Sequence, residues 1–193
     1  MKNTNNPNEK IIIALDGMDK SDVLNLLEKI PEIIWVKVWL ELFVSEGPDI
    51  IKILKDEGKK IFLDLKFHDI PTTVARACYV ASQTGAEFIS LHTCAGIKAL
   101  KMGNEAAHEG AAKVNIRPPK LLGITVLTSW TRESFASDLL INEAIDKRVT
   151  HLAEIASKSG LGGCVCSPKE VQSLRKVYPE TFELVTPGIR SLG

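Results

Sequence analysis

The 193-residue sequence has no excess of positive charge: 24 lysines and arginines balance 24 aspartates and glutamates. Nucleic-acid-binding domains usually carry a basic excess or stripe, so nothing here points to a nucleic-acid partner. No apolar run approaches the roughly 20 residues that a membrane-spanning helix needs. The opening MKNTNNPNEK lacks the apolar stretch of a secretory signal. Residues 1–9 are expected to form a flexible tail, and residues 10–193 a single domain. Cysteine is scarce, at Cys78, Cys94, Cys164 and Cys166. The C-V-C pair lacks zinc-finger spacing and a histidine cluster, so buried free thiols in a reducing cytoplasm are expected. Glycine is sparse after the first apolar run: LDGMDKSD holds one, which excludes the G-x-G-x-x-G dinucleotide fingerprint.

What is present is a rhythm. The chain is 45% hydrophobic and 25% charged, enough for one domain with a sizeable core. Strand-like runs are expected at 10–16, 33–43, 59–67, 86–93, 120–129, 161–167 and 182–190. Helical spacing of apolar residues fills 20–30, 48–58, 73–85, 97–110, 142–160 and 168–179. Such alternation argues for an α/β protein with a parallel sheet under helices. Asp16, Lys37, Asp64, Lys66, His92, Thr128 and Ser129 fall at or near the C-terminal ends of these strands. In a TIM (β/α)8 barrel those ends meet at one mouth, where active sites are built. The expected fold is that barrel, lacking its eighth strand.

FLDLKFHDIPTT, residues 62–73, begins as a core strand and then places Asp64, Lys66, His68 and Asp69 within six positions. Buried charges are costly unless paired. Alternation along a strand puts Leu63, Leu65 and Phe67 toward the helices, and Phe62, Asp64 and Lys66 toward the barrel interior. Asp16 and Lys37 arrive on the two preceding strands at the same level. Two acids and two lysines converging from three strands form a candidate site. His68 and His92 are read as supporting residues near the mouth, and Trp130 and Arg132 either as part of a mobile loop over the site or as plain loop residues after the fifth strand.

D-L-K-F-H-D-I-P-x-T at 64–73 resembles the signature of the orotidine 5′-phosphate decarboxylases, in their shorter bacterial branch. IIIALD, WVKV-x-LELF, ITVLTS and LVTPGIR resemble the family's first, second, fifth and seventh strands, so the likeness spans nearly the whole chain. It implies conversion of orotidine 5′-phosphate to UMP and CO2 in de novo pyrimidine synthesis, without cofactor or metal. It further implies that Asp16 binds the ribose, that Lys37 binds near the ribose and holds the acids, and that Asp64 faces the substrate carboxylate. Lys66, flanked by Asp64 and Asp69, would deliver a proton to C6. Asp69 and Thr73 would reach the neighbouring subunit's site in a homodimer. Thr128 or Ser129 would contact the pyrimidine, and Arg190 the phosphate. A metal-dependent sugar-phosphate decarboxylase or aldolase shares D-x-K-x-x-D, but I-P-x-T, LTS and TPGIR favour the orotidine branch. Two departures stand out. Trp39 occupies a position where the family pattern has glycine, and the sequence stops at SLG before the family's eighth strand and final arginine. A C-terminally truncated decarboxylase, or an inactive fragment keeping the dimer surface, is therefore expected.

Overall fold

A computed structural model describes residues 6–189; Arg190 lies outside the described residues. Seven parallel strands form one sheet in sequence order: β1 (Ile12–Ala14), β2 (Trp35–Trp39), β3 (Lys60–Phe67), β4 (Phe88–His92), β5 (Lys120–Ile124), β6 (Gly163–Val165) and β7 (Glu183–Val185). The helices are α1 (Lys20–Lys29), α2 (Leu40–Glu46), α3 (Asp49–Asp56), α4 (Pro71–Ser82), α5 (Ile97–Lys113), α6 (Arg132–Leu139), α7 (Ile145–Lys158) and α8 (Val171–Arg175). Strictly sequential parallel neighbours joined by helices are the connectivity of a (β/α) barrel wall. Seven of the eight strands of that barrel lie among the described residues.

The core sits between sheet and helices. Val36, Val38, Ile61, Leu63, Ile89, Leu91 and Leu121 are fully buried, together with Ile50, Ile51, Leu54, Val74 and Leu100 from the helices. Cys78, Cys164 and Cys166 are buried free thiols as expected, and burial pushes the Cys78 thiol up to about 12. Cys94 is the exception and is exposed. Toward the N-terminal ends of the strands, Trp35 stacks on Phe88 with ring centroids 4.6 Å apart, and Phe62 meets Phe88 edge-on at 6.2 Å.

Several expected boundaries shift. The 33–43 run is not one strand: β2 ends at Trp39 and LELFVSE forms α2. Leucine and glutamate are good helix formers, and Gly47 at φ 67° ends the helix with its N–H on the Phe43 carbonyl. The fifth strand stops at Ile124, so Thr128 and Ser129 lie on a turn. Arg132, read as loop, opens α6, whose Thr131 cap bonds Ser134 N–H at 3.1 Å. The segment expected as helix at 168–179 holds a 3-10 turn (Pro168–Glu170) and the short α8. Inside the expected N-terminal tail, Pro7–Lys10 make a 3-10 turn capped by Asn6.

Candidate active site

The charged cluster is assembled by strand register. Trp35, Val36, Lys37, Val38 and Trp39 pair with Lys60, Ile61, Phe62, Leu63 and Asp64 in turn. With Val36 and Val38 committed to the buried side, alternation leaves Lys37 and Trp39 facing the interior. Lys37 Nζ donates to Asp16 Oδ1 at 2.7 Å and lies 3.9 Å from Asp64 Oδ2. Lys66 Nζ donates to that same Asp64 oxygen at 2.6 Å. The result is a row of alternating sign, Asp16–Lys37–Asp64–Lys66, drawn from the turn after β1 and from β2 and β3. Asp64 is the most enclosed member, with its side chain 9% exposed. Two ammonium groups on one carboxylate oxygen are what makes that burial tolerable.

Plain alternation does not by itself deliver Lys66. The β3–β4 register runs Leu63 to Ile89 and then Phe67 to Leu91. Asp64, Leu65 and Lys66 therefore stand opposite Ser90 alone, which is a bulge. Lys66 takes φ 51°, one of three non-glycine residues at positive φ among those described. A lysine held there costs on the order of 1–3 kcal/mol, a strain that the surrounding structure must over-determine. Ser90, fully buried, supplies two hydrogen bonds: its Oγ accepts from Lys66 N–H at 2.9 Å and donates to Asp64 Oδ1 at 2.7 Å. Sequence reasoning missed Ser90. The available signal was a lone hydroxyl in the apolar strand FISLH, on the same parity as His92.

A cavity of about 330 Å³ opens beside the row. Asp64 and Lys66 form its charged wall, Ile124, Val126 and Val165 an apolar wall, and Thr128, Ser129 and Pro187 its rim. Its volume is near the lower end for small-molecule sites, and an apolar pocket with a few convergent polar groups suits such a ligand. Trp39 is also a wall. Lys37 Nζ and Lys66 Nζ each sit 5.6 Å from the centre of its ring, within cation–π range. Its Nε1 is buried with no hydrogen-bond partner among the described residues.

Asp16, Lys37, Asp64 and Lys66 thus come together as expected, with Thr128 and Ser129 at the cavity. Asp69 does not flank Lys66 within this chain. It is exposed, and its carboxylate accepts from Ile70 N–H at 2.6 Å, at the entry to α4. Thr73 is likewise exposed in the first turn of α4. His68 and His92 lie side by side with ring centroids 5.2 Å apart. Burial, reinforced by His68 and Lys66 and opposed by Asp64, lowers His92 below the ordinary histidine value.

Comparison with known proteins now bears on this geometry. The profile of the orotidine 5′-phosphate decarboxylase / HUMPS family matches residues 9–193. The chain belongs to that family. It is 82% identical over all 193 residues to the orotidine 5′-phosphate decarboxylase of Prochlorococcus marinus strain NATL1A, covering 80% of that protein. It is 58% identical over 187 residues to the enzyme of that name from strain MIT 9211, with 97% of this chain and 78% of the relative covered. A crystal structure of orotidine 5′-phosphate decarboxylase from Lactobacillus acidophilus superposes with a TM-score of 0.87 at 36% identity, over 93% of this chain and 81% of that one. These relatives carry the first of the two names in the family's description.

Proposed function

We propose that this protein is an orotidine 5′-phosphate decarboxylase, releasing CO2 from the substrate to leave UMP in pyrimidine biosynthesis. The observation that carries the reading is the alternating row ending in Lys66, set against an apolar cavity in a chain 82% identical to a protein of that name.

The chemistry follows from charge. Breaking the C6–carboxylate bond releases CO2 and leaves its electron pair on C6. An ammonium held beside C6 stabilises that developing charge, then donates its proton there to complete the product. Lys66 is the residue for this role, since its ammonium is fixed by Asp64 at the cavity wall. Asp64 stands on the side of the departing carboxylate. Lys37 ties Asp64 to Asp16 and, with Asp16, offers a polar edge for the ribose. Thr128 and Ser129 on the rim suit the pyrimidine, and Arg190 the phosphate. Neither a metal nor an organic cofactor enters these steps. A phosphate gripped far from C6 contributes binding energy that is realised at the transition state.

Asp69 and Thr73, exposed and outside the lining of the cavity, support the reading of a homodimer in which each chain completes its partner's site, and we read the protein as cytoplasmic. Among the described residues no helix is long and apolar enough to cross a membrane.

The test is spectrophotometric loss of orotidine 5′-phosphate. It is run on the 193-residue chain and on the same chain joined to the C-terminal segment of the NATL1A relative. Lys66→Ala is expected to abolish turnover with the thermal melt retained; near-normal turnover would remove Lys66 from the chemistry. Mixing Lys66→Ala with Asp69→Ala chains should recover part of the activity, because some mixed sites then carry neither defect. No recovery after verified subunit exchange would mean that each site is built within one chain.

A further inference from the structure

Asp64 has two carboxylate oxygens, and the two are held by different means. Oδ2 takes both ammonium groups, Lys66 at 2.6 Å and Lys37 at 3.9 Å. Oδ1 takes the Ser90 hydroxyl at 2.7 Å. Without that second hold, the carboxylate is free to turn about its bond to Cβ while keeping its ion pairs. Ser90 also accepts the Lys66 backbone N–H at 2.9 Å. The bulge takes that N–H out of the strand ladder, and a buried donor needs another partner. A single hydroxyl therefore joins the carboxylate of one working residue to the backbone of the other. It does so at the point where that backbone leaves its ordinary conformation, with Lys66 at φ 51°.

We propose that Ser90 is a positioning residue of the reaction, its buried hydroxyl holding the Asp64 carboxylate and the left-handed Lys66 backbone in their working relation. The proposal rests on the decarboxylase reading above. Ser90 is no wall of the cavity, so it acts through Asp64 and Lys66 and not on the substrate. A hydroxyl suits the task because it both donates and accepts. Alanine would do neither. It would orphan the Lys66 N–H and release Asp64 Oδ1, leaving the positive φ of Lys66 with less to hold it. Along the other edge of β4, Ser90 pairs in register with Leu122 of β5, so its backbone stays anchored when the side chain is altered.

The experiment compares the parent with Ser90→Ala and Ser90→Thr, each with and without the NATL1A C-terminal segment. Misplacing catalytic groups by about an ångström can cost on the order of 100-fold in rate, so Ser90→Ala is expected to lower kcat by about that factor. KM should stay within about threefold, because ground-state contacts are untouched. Ser90→Thr, which keeps the hydroxyl, should recover most of kcat. A second readout is independent of activity. Amide hydrogen exchange at Lys66, followed by NMR, should accelerate about tenfold in Ser90→Ala, the scale of one lost hydrogen bond, while Leu63 and Ile89 stay protected. Should Ser90→Ala lose its cooperative melt, Ser90→Cys carries the same comparison, since it keeps the volume with a much weaker donor. A kcat within threefold of the parent in Ser90→Ala, a threonine variant as slow as the alanine one, or unchanged exchange at Lys66 would each overturn the proposal. Absence of turnover from the parent in both forms would instead overturn the decarboxylase reading, and Ser90's part in the reaction with it.

Discussion

At position 39 an indole stands between the two lysines of the site, 5.6 Å from each ammonium. Cation–π attraction at such distances is worth about 0.5–1 kcal/mol per exposed contact. Against it stands a buried indole N–H with no acceptor among the described residues, a cost of roughly 1–3 kcal/mol. The ring also takes up room in a cavity of about 330 Å³. Trp39→Gly is expected to lower KM or raise turnover, because the mouth widens without loss of any ion pair of Lys37 or Lys66. Glycine in a strand costs about 0.5–1 kcal/mol of backbone entropy, so the melting temperature should change little or rise. A variant that melts lower and turns over no faster would show that the site already uses the indole. The membership of the charged row was legible in the sequence, since parity put Asp64 inward and the rhythm of strands placed Asp16 and Lys37 beside it, whereas Lys66 reaches the row through a bulge and a positive φ that alternation does not foretell. Ser90 was not, because a serine among apolar neighbours carries no mark of its partners until the bulge brings it under Lys66.

Helices and strands differ in how openly they announced themselves. The long helices α5 and α7 and the strand β3 were legible because their apolar period is sustained over many residues. The junction at Trp39–Leu40 was not, because IIWVKVWLELF is apolar enough to satisfy either period and only tertiary packing ends the strand. Helix α6 buries only Phe135, too little to make a stripe. The α4–α5 pair carries a different message. A Cβ added at Gly110 would run into the backbone carbonyl of Tyr79 and the hydroxyl of Ser82, so the two helices approach as closely as a missing side chain permits. Backbone atoms cannot swing aside as a flexible side chain can. Gly110→Ala is expected to destabilise by about 1–3 kcal/mol, the usual cost of overpacking, despite alanine's better helix propensity. Chemical denaturation measures it directly. An unchanged or higher midpoint would mean that the helices part at little cost.

On the scale of the whole molecule, the sheet has two ends. Among the described residues β1 and β7 each pair on one side only. Burial falls away toward them: Ile61 and Leu63 in β3 are fully buried, whereas Ile12, Ile13, Leu184 and Val185 are only partly covered. An unpaired strand edge is a template for pairing with another chain. Partly covered apolar side chains beside it add an adhesive patch. Net charge is zero, with 24 residues of each sign, so little overall repulsion opposes association. Relatives of this chain are longer, and it covers 80% of the NATL1A protein. The 193-residue polypeptide expressed by itself is therefore expected to self-associate and to decarboxylate poorly, since both edges are open among the described residues. Joining the NATL1A C-terminal segment should pair those edges, convert the sample to a single species by sedimentation, raise the melting temperature and increase turnover together. The gain in turnover should appear as a lower KM as well as a higher kcat, because charge-assisted contacts to phosphate are among the strong ones and a complete phosphate grip binds the substrate before it reacts. A 193-residue protein that sediments as one species, melts cooperatively and turns over as fast as the extended chain would show that seven strands are enough to hold the site.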